Sequence, residues 1–422
     1  MLDLKLIREN PELIKKACAD KNDKADIDEI VNLDNQRKIL LTEAESLRAK
    51  QNQASQEIAR LKKSGEDASA VIAEMKEVSA RVGEMNGEVR KVEERLQAAM
   101  LKVPNIPDKE VPVGPDEEHN VTIREWGDKP KFDFTPAPHW ELADKLGIID
   151  LSGGAKISGS GFYALKGLGA RLERALISFM LDYHTRKYDF IEVMPPFLVR
   201  GDSMQGTGQL PKLADDMYRI ENEDLYLIPT AEVPVTNLHR EEILKESDLP
   251  IYYVASTPCF RREAGAAGKD TRGILRVHQF NKVELVKIVK PESSHDEHEK
   301  LLEQVESILQ LLNVPYRVRI LATGDLSFAA AKCYDIEIWS AGVENYLEVS
   351  SVSNFTDFQA RRMNCRYRDE NNKVRFVHTL NGSGTALPRL MIALLENNQT
   401  ENGQVIIPEV IRPLMNGLEK IA

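Results

Sequence analysis

The chain lacks the features of a membrane or secreted protein. Its 422 residues contain no apolar run approaching the roughly 18 residues of a membrane helix. The N-terminal MLDLKLIREN has charges where an export signal would be apolar. No Cys-x-x-Cys pair or neighbouring histidine accompanies the four cysteines, Cys18, Cys259, Cys333 and Cys365. We therefore expect a cytoplasmic protein with no disulfide framework, no membrane contact and no zinc.

The chain also lacks an excess of positive charge. Lys and Arg number 56 against 67 Asp and Glu, which gives a net charge of -11. Because affinity for nucleic-acid backbones comes from basic side chains, we do not predict DNA binding, and any RNA partner must meet a local patch. The sequence has no Gly-x-Gly-x-x-Gly turn and no P-loop, so a nucleotide, if one binds, is expected to bind on a sheet.

The sequence does contain enough apolar residues for more than one core. The apolar share is 42% and the charged share 29%, as in globular proteins, and the length favours two domains. VPNIPDKEVPVGPDEEHN, residues 103–120, has four prolines and no periodicity, which is typical of a linker. We therefore predict an N-terminal domain at 1–102, a linker at 103–120 and a second domain at 121–422.

Residues 30–100 have the apolar spacing of two coiled-coil helices. The break KKSGED at 62–67 contains a glycine, so we predict an antiparallel hairpin with arms about 50 Å long. The first apolar seam comprises Ile30, Leu33, Leu40, Ala44, Leu47, Ala54, Ile58 and Leu61. The second comprises Val71, Met75, Val78, Val82, Met85, Val89, Val92, Leu96 and Ala99.

The hairpin is open to two interpretations, a dimerisation or spacer element and an RNA-binding arm. Residues 27–100 contain 12 Lys and Arg against 14 Asp and Glu, so RNA would have to contact a few basic residues along one edge. Each of these side chains could equally belong to a solvated helix face. The candidates are Arg37, Lys38, Arg48, Lys50, Lys62 and Lys63.

The second domain alternates helical and strand-like segments, which predicts an α+β fold with a mainly antiparallel sheet flanked by helices. The helical segments include ARLERALISFMLDYHTRK and HDEHEKLLEQVESILQLLN. The strand-like segments are FIEVMP, IYYVASTPCF, VELVKIV, YRVRIL, CYDIEIWS and YLEVSS. The turn SAGVEN joins the last two as a hairpin.

Two of these extended segments carry charges and an aromatic ring. PCFRREAG ends one, and ILRVHQFNKVELVKIV forms the next after the Gly-rich stretch AGAAGKDTRG. Alternation places Arg276, Phe280 and Glu284 on one face of the second strand, and Arg261 and Glu263 on one face of the first. Arginine suits phosphate, an aromatic ring stacks on a purine and a carboxylate accepts from an exocyclic amine, so this face outlines an ATP site. The alternative is a surface ladder of ion pairs.

A third segment supports the same interpretation. VHTLNGSGTALPRLMIALLENNQ is interpreted as a strand, a glycine turn and a helix with Arg389 in its first turn. Pro388 is tolerated there because the first backbone donors of a helix have no partners. Arg389 and the helix N-terminus would both favour phosphate. NGSG could alternatively be only a turn.

These motifs resemble the signatures of class II aminoacyl-tRNA synthetases. FRRE, the Gly-rich loop and HQFNKVE look like the second signature, and NGSG followed by PRLMIALLE looks like the third. FIEVMPPFLV resembles the first, which forms the dimer interface. With the N-terminal hairpin, TAEVPVTN and LEVSSVSNF, the whole chain is similar to the bacterial-type seryl-tRNA synthetases.

The resemblance implies that L-serine and ATP form seryl-adenylate, and that serine then passes to the 3′ end of tRNA(Ser), and of tRNA(Sec) where one exists. It implies a homodimer and roles in ATP binding for Arg261, Arg262, Glu263, Arg276, Val277, Phe280 and Arg389. The LEVSS stretch adds Glu348, Val349, Ser350 and Ser351. Glu348 and Ser351 match the family's Mg²⁺-binding positions. In an ideal strand they face opposite ways, so this assignment requires a bulge or a strand end there.

For serine, the resemblance implies a binding loop at Thr230, Ala231 and Glu232. Glu284 matches the position that accepts the serine hydroxyl, and Ser383 is expected nearby. Two residues depart from the family pattern, Asp189 where glycine is common and Pro388 before Arg389. The alternatives are an amino-acid-activating paralogue that loads a carrier protein and a noncatalytic coiled-coil scaffold, but the long hairpin argues against the first and the intact ATP residues against the second.

Overall fold

The computed structural model describes residues 1–264 and 272–422, and its contacts divide the chain into two units. The helical unit comprises residues 1–19 and 23–104, and the sheet unit comprises residues 20–22 and 105–422. None of the helices in the described ranges combines the length and apolar character needed to cross a membrane. Most of the predicted Gly-rich stretch 264–273 lies outside the described residues.

The helical unit is dominated by the predicted hairpin. Asp26 caps the first long helix by accepting from the Glu29 backbone N–H, and Gly65 ends it in the left-handed conformation at φ 76°. The seam positions are buried or partly buried in both arms, as the heptad pattern predicted. The helices of this region are α1 (Leu4–Glu9), α2 (Pro11–Asp20), α3 (Ile27–Ser64) and α4 (Ser69–Met100).

The sheet unit contains eight further α-helices and 17 strands among its described residues. The helices are α5 (His139–Leu146), α6 (Leu151–Ser158), α7 (Leu168–Tyr188), α8 (Gly201–Thr207), α9 (Glu232–Thr236), α10 (Ser294–Leu311), α11 (Phe358–Met363) and α12 (Leu387–Asn397). The strands are β1 (Val121–Trp126), β2 (Ile149–Asp150), β3 (Ala164–Leu165), β4 (Ile191–Glu192), β5 (Leu198–Arg200), β6 (Leu225–Leu227), β7 (Ile243–Lys245), β8 (Ile251–Phe260), β9 (Gln279–Val289), β10 (Tyr316–Ile320), β11 (Lys332–Ser340), β12 (Asn345–Asn354), β13 (Arg366–Arg368), β14 (Val374–Phe376), β15 (His378–Ala386), β16 (Val405–Ile406) and β17 (Lys420–Ile421).

Eight strands form the main sheet in the order β1-β10-β11-β12-β15-β9-β8-β4. All neighbours are antiparallel except β4 and β8, which confirms the predicted α+β class. On one face, Gly382 of β15 lies against Leu301 and Val305 of α10. The next residue, Ser383, points to the opposite face, where a cavity opens.

Three predicted boundaries were wrong. The strand expected from Ile274 begins only at Gln279. FIEVMP supplies only the two-residue β4, whose exposed residues pair with β8 alone. NGSG is not a turn but part of β15. Its glycines are needed for close packing: Leu301 lies 3.3 Å from the place that a Cβ on Gly382 would occupy, and Val283 lies 3.0 Å from the corresponding place on Gly384.

The structure also shows where the predicted linker lies and what conformation Asp189 and Pro388 adopt. Asn105 is buried and its amide donates to the carbonyls of Ala329 and Phe355, so residues 105–120 belong to the sheet unit as a packed segment. Asp189 ends α7 in the left-handed conformation at φ 56°, which aspartate tolerates better than most residues and which glycine would also adopt. Pro388 occupies the first turn of α12 as predicted.

Candidate active site

A cavity of about 480 Å³ opens on the sheet face that carries Phe280 and Ser383. Its walls come from the end of β8, the start of β9, the middle of β12, the end of β15 and the first turn of α12. Most of the site residues predicted from the sequence line this cavity, although they span 160 positions of the chain. They are Thr230, Glu232, Arg261, Glu263, Arg276, Val277, Phe280, Glu348, Val349, Ser350, Ser351, Ser383 and Arg389.

Three predicted residues do not line the cavity. Arg262 points away and donates from its side chain to the carbonyl of Asp215 at 3.1 Å. Ala231 is fully buried next to the cavity residues Thr230 and Glu232. Glu284 is also fully buried and lies behind Thr230, whose hydroxyl donates to it at 3.0 Å. Glu284 therefore acts on the cavity through its neighbours in this conformation.

One end of the cavity is rich in guanidinium groups. Arg261 lies over the ring of Phe280, with 5.3 Å from the guanidinium carbon to the ring centre. Arg276 forms an ion pair with Glu263 at 3.1 Å. Glu263 itself lies beyond the end of β8 with a left-handed backbone at φ 49°, so it does not share a strand face with Arg261 as predicted. These groups form a cationic surface beside an aromatic ring.

Arg389 completes this end from the first turn of α12. It donates to the carbonyl of Glu348 at 2.6 Å and lies 3.5 Å from the carboxylate of the same residue. Removal from water acts to raise the pKa of Glu348, but the charges of Arg389 and Arg261 outweigh it and hold that pKa below its ordinary value. The Glu348 side chain is therefore an anion that pairs with Arg389 at the mouth of this end.

The strand bulge that the metal assignment requires is present in β12. Ile336 pairs with Ser350 and Glu337 pairs with Glu348, so Val349 has no partner on β11. The extra residue turns Glu348 and Ser351 to the same side, where the Ser351 hydroxyl donates to the Glu348 carboxylate at 3.2 Å. The same hydroxyl lies 2.7 Å from Asp335 of β11. Burial and the nearby Glu348 charge raise the pKa of Asp335 well above its ordinary value.

The other end of the cavity is built around a buried network of opposite charges. Lys282 of β9 pairs with Glu284 and donates to Thr230 at 2.9 Å and to Ser383 at 3.3 Å. Asn381 of β15 donates to the second oxygen of Glu284 at 2.9 Å. The network thus presents hydroxyl and ammonium groups to a small polar ligand, with a carboxylate directly behind them.

Glu232 adds a second carboxylate at this end. It is the first residue of α9 and is 7% exposed. Burial, followed by the charge of Glu284, raises the pKa of Glu232 to about 7, while a hydrogen bond from Gln359 and the charges of Lys282 and Arg261 act in the opposite direction. A cationic ligand bound beside Glu232 would favour the ionised carboxylate, because its positive charge would offset the effects of burial and of Glu284.

The sequence interpretation missed four residues of this region. Alternation puts Lys282 on the same face of the second strand as Phe280 and Glu284, but the sequence analysis gave it no role. Asn381 was missed because NGSG was interpreted as a turn, whereas in β15 it alternates with Ser383 on the cavity face. Gln359 comes from a segment distant in sequence from Glu232, and only the folded structure brings the two together. Asp335 lies opposite Ser351 in the predicted β11–β12 hairpin, but the sequence analysis assigned it no role.

The hairpin candidates fall into two groups. Arg37 pairs with Asp34 and Glu93, Lys38 pairs with Asp34, and Arg48 donates to Asn86 across the hairpin. Lys50 is exposed along α3, and Lys62 and Lys63 are exposed in its last turn. Arg37 and Arg48 therefore contact both helices and Lys38 pairs only within α3, whereas the second group faces water.

Comparison with known proteins decides the family. The family model of the seryl-tRNA synthetase N-terminal domain matches residues 1–107. The family model of the class II tRNA synthetase core domain (G, H, P, S and T) matches residues 216–398. A serine–tRNA ligase of Carboxydothermus hydrogenoformans is 54% identical over 422 residues, which covers 100% of this chain and 99% of that protein. The chain belongs to the seryl-tRNA synthetase family.

Solved structures of the family agree with this assignment. A seryl-tRNA synthetase from Pyrococcus horikoshii, crystallised with ATP, has a TM-score of 0.93 and 42% identity, with coverage of 100% of this chain and 99% of that one. A cytoplasmic serine–tRNA ligase from Naegleria fowleri, crystallised with AMP, has a TM-score of 0.88 and 30% identity, with coverage of 100% and 98%. The helical hairpin followed by a class II core is therefore the architecture that this chain shares with the family.

Proposed function

We propose that this protein is a serine–tRNA ligase, which joins L-serine to ATP as seryl-adenylate with release of pyrophosphate. It then transfers serine to the 3′ end of tRNA(Ser), and of tRNA(Sec) where one exists, with release of AMP. The observation that carries the proposal is the polarity of the cavity. Three arginines and an aromatic ring lie at one end, and a buried network of hydroxyl, ammonium and carboxylate groups lies at the other. A nucleotide and a small amino acid can bind side by side there.

ATP binds at the guanidinium end in this proposal. Phe280 stacks on adenine, Val277 lies against the nucleotide and Glu263 accepts from the adenine amino group. Arg261 holds the α-phosphate with help from Arg276, and Arg389 holds the γ-phosphate side. The ion pairs that Arg276 and Arg389 make with Glu263 and Glu348 keep these arginines over the cavity before the nucleotide binds.

Serine binds at the opposite end. Thr230, Ala231 and Glu232 form the loop around the ammonium group of serine. The positive charge of that group complements the negative charge of the Glu232 carboxylate. Glu284 receives the serine hydroxyl when Thr230, which donates to it at 3.0 Å in this conformation, turns aside, with Ser383 beside it. Because the Glu284 carboxylate is buried, an alanine substrate would not replace the hydrogen bond that Thr230 gives up and would be rejected.

No side chain needs to act as a nucleophile in this reaction. The serine carboxylate attacks the α-phosphorus, a new C–O–P linkage forms, and the bond to pyrophosphate breaks. The protein contributes position and charge, with Arg261 neutralising the phosphate that is attacked. Mg²⁺ would add further neutralisation, and the adjacent oxygens of Glu348 and Ser351 are the hard ligands that it prefers.

We assign the tRNA to the helical hairpin. Its exposed basic residues Lys50, Lys62 and Lys63 can contact the phosphate backbone of the RNA but are too few to recognise a base sequence. We also propose a homodimer formed through the region of β4, because Ile191 is 57% exposed and Met194 86% exposed there, at an edge of the main sheet. The four cysteines are buried as thiols, which fits a reducing cytoplasm.

Serine-dependent exchange of labelled pyrophosphate into ATP tests the proposal directly. We expect exchange with serine and little with alanine, threonine or cysteine, and loss of exchange in Glu284→Ala. Addition of tRNA(Ser) should then give charged tRNA. A folded wild-type protein that shows no exchange with any amino acid would contradict the proposal and favour a noncatalytic scaffold. Exchange without tRNA charging would favour a carrier-protein ligase.

A further inference from the structure

Gln359 of α11 lies behind the cavity and makes three hydrogen bonds that fix its side-chain amide in one orientation. Its side chain is fully buried. Nε2 donates to Glu232 Oε1 at 2.6 Å and to the Thr207 carbonyl at 3.1 Å, while Oε1 accepts from Thr379 Oγ1 at 2.7 Å. Turning the amide over would place its oxygen against a carbonyl and a carboxylate, which both accept, so the N–H group is held on Glu232.

The two oxygens of Glu232 therefore differ. Oε1 is fixed by Gln359, whereas Oε2 has no hydrogen-bond partner in residues 1–264 and 272–422, and Glu232 lines the cavity. The charged groups that face this carboxylate are Glu284 and Lys282 of β9 and Arg261 at the end of β8. Since Glu284 repels a second negative charge, the donated hydrogen bond is one of the few contacts that keep Glu232 ionised.

We infer that Gln359, oriented by Thr379, is a positioning residue that holds Glu232 ionised and directs its free oxygen to the amino group of the substrate. This inference rests on the proposed function, in which Glu232 binds that amino group. Neither Gln359 nor Thr379 lines the cavity, so both act through Glu232. The relay runs from β15 through α11 to α9 and joins three segments that are distant in sequence.

Three variants separate this role from simple packing. Gln359→Leu removes the donor at similar volume. Thr379→Val removes only the hydroxyl that orients the amide. Gln304→Leu is the matched control, because Gln304 is also buried but lies on α10, against the other face of the sheet. Folding of each variant is checked by tryptophan fluorescence before the kinetics.

The measurement is pyrophosphate exchange as a function of pH, analysed as kcat/KM for serine and as KM for ATP. In the wild type, kcat/KM for serine should rise as Glu232 ionises. In Gln359→Leu this rise should move to higher pH, and at pH 7 the KM for serine should increase about tenfold, because a hydrogen bond to the charged form is lost. The KM for ATP should stay within about twofold, since the ATP contacts are intact. Thr379→Val should shift the profile in the same direction by about two- to threefold.

Two results would overturn the inference. One is a pH profile that stays at the wild-type position in both variants, and the other is an equal rise of the KM values for serine and ATP, which indicates general disruption. If Gln359→Leu does not fold, Thr379→Val decides alone. Absence of exchange in the wild type would contradict the proposed function, whereas an active wild type with Gln359→Leu behaving like Gln304→Leu would contradict only the relay.

Discussion

The helical hairpin and the sheet unit use the same charged residues in opposite environments. In the hairpin, the pair Arg81–Glu84 is 51% and 66% exposed in its side chains. In the sheet unit, the pair Lys287–Glu297 is 0% and 6% exposed. An exposed pair contributes little because water solvates both ions, whereas a buried ion depends on its partner. We therefore expect exposed charges such as those of Arg81 and Glu84 to be replaceable and the buried charges of Lys287 and Glu297 not to be.

The largest difference between the two regions should appear when one arginine is replaced by alanine in each of them. Arg261→Ala removes the guanidinium that we assign to the α-phosphate, and we expect serine-dependent exchange to fall by at least about a thousandfold. Arg48→Ala removes only a hydrogen bond to Asn86 across the hairpin, so exchange should remain at the wild-type rate. Equal losses in the two variants would contradict the contrast between the regions.

Removing most of the hairpin should separate the two chemical steps. Arg37 and Glu93 form an ion pair at 3.5 Å, so a short Gly-Ser linker can replace residues 38–92 between them. Exchange should stay within about twofold of the wild type, because the cavity belongs to the sheet unit. Charging of tRNA(Ser) should fall by roughly a hundredfold or more, since backbone contacts supply much of the affinity for RNA. A parallel loss of both activities would contradict the assignment of tRNA to the hairpin.

Breaking the charge network at the serine end should cost both stability and affinity. Lys282→Met leaves the buried Glu284 carboxylate without its cation, and we expect the free energy of unfolding of the sheet unit to fall by about 3 kcal/mol. Tryptophan fluorescence in denaturant measures this unit alone, because Trp126, Trp140 and Trp339 all belong to it.

A second substitution provides the control for that prediction. Lys282→Met with Glu284→Gln removes both charges, so most of the lost stability should return while serine-dependent exchange remains low. If the double variant is as unstable as the single one, the loss reflects packing of the lysine side chain rather than an unpaired charge.

The two regions also differ in how much of their structure could be predicted from the sequence. The hairpin follows from the spacing of residues such as Leu33, Val82 and Met85, because contacts between long helices repeat with a local period. The ATP end could be predicted from motifs, since Arg261, Phe280 and Arg389 carry distinctive chemistry. The bulge at Val349 was a requirement of the metal assignment, and β12 contains it.

The remainder of the site could not be predicted, for physical reasons. Gln359 reaches Glu232 only because α11 packs beside α8 and α9, and no sequence period encodes that approach. The interpretation of NGSG as a turn followed from its glycines, whereas the close approach of Leu301 and Val283 explains them better. Arg262 belongs to the FRRE motif, yet the chain leaves β8 at Phe260 and turns its side chain to Asp215.

The smallest predicted effect concerns a buried pair that lies away from the cavity. Burial opposes ionisation of Glu297, but hydrogen bonds from Lys300, Tyr252 and Lys287 outweigh it and lower its pKa from an ordinary value near 4.5 to about 2. Because the folded-state pKa is depressed, the resulting stability is fully present above about pH 4.5 and is lost as the pH falls towards 2.

Glu297→Gln should therefore lower the free energy of unfolding at pH 7 by about 2 kcal/mol and remove part of the loss of stability between pH 4.5 and 2. The matched control is Glu409→Gln, because Glu409 is 89% exposed beside Arg412 and should leave the fluorescence transition unchanged at every pH. An unchanged acid dependence in Glu297→Gln would mean that the Lys287 pair behaves like the exposed pairs of the hairpin, and burial would then not explain the difference between the two regions.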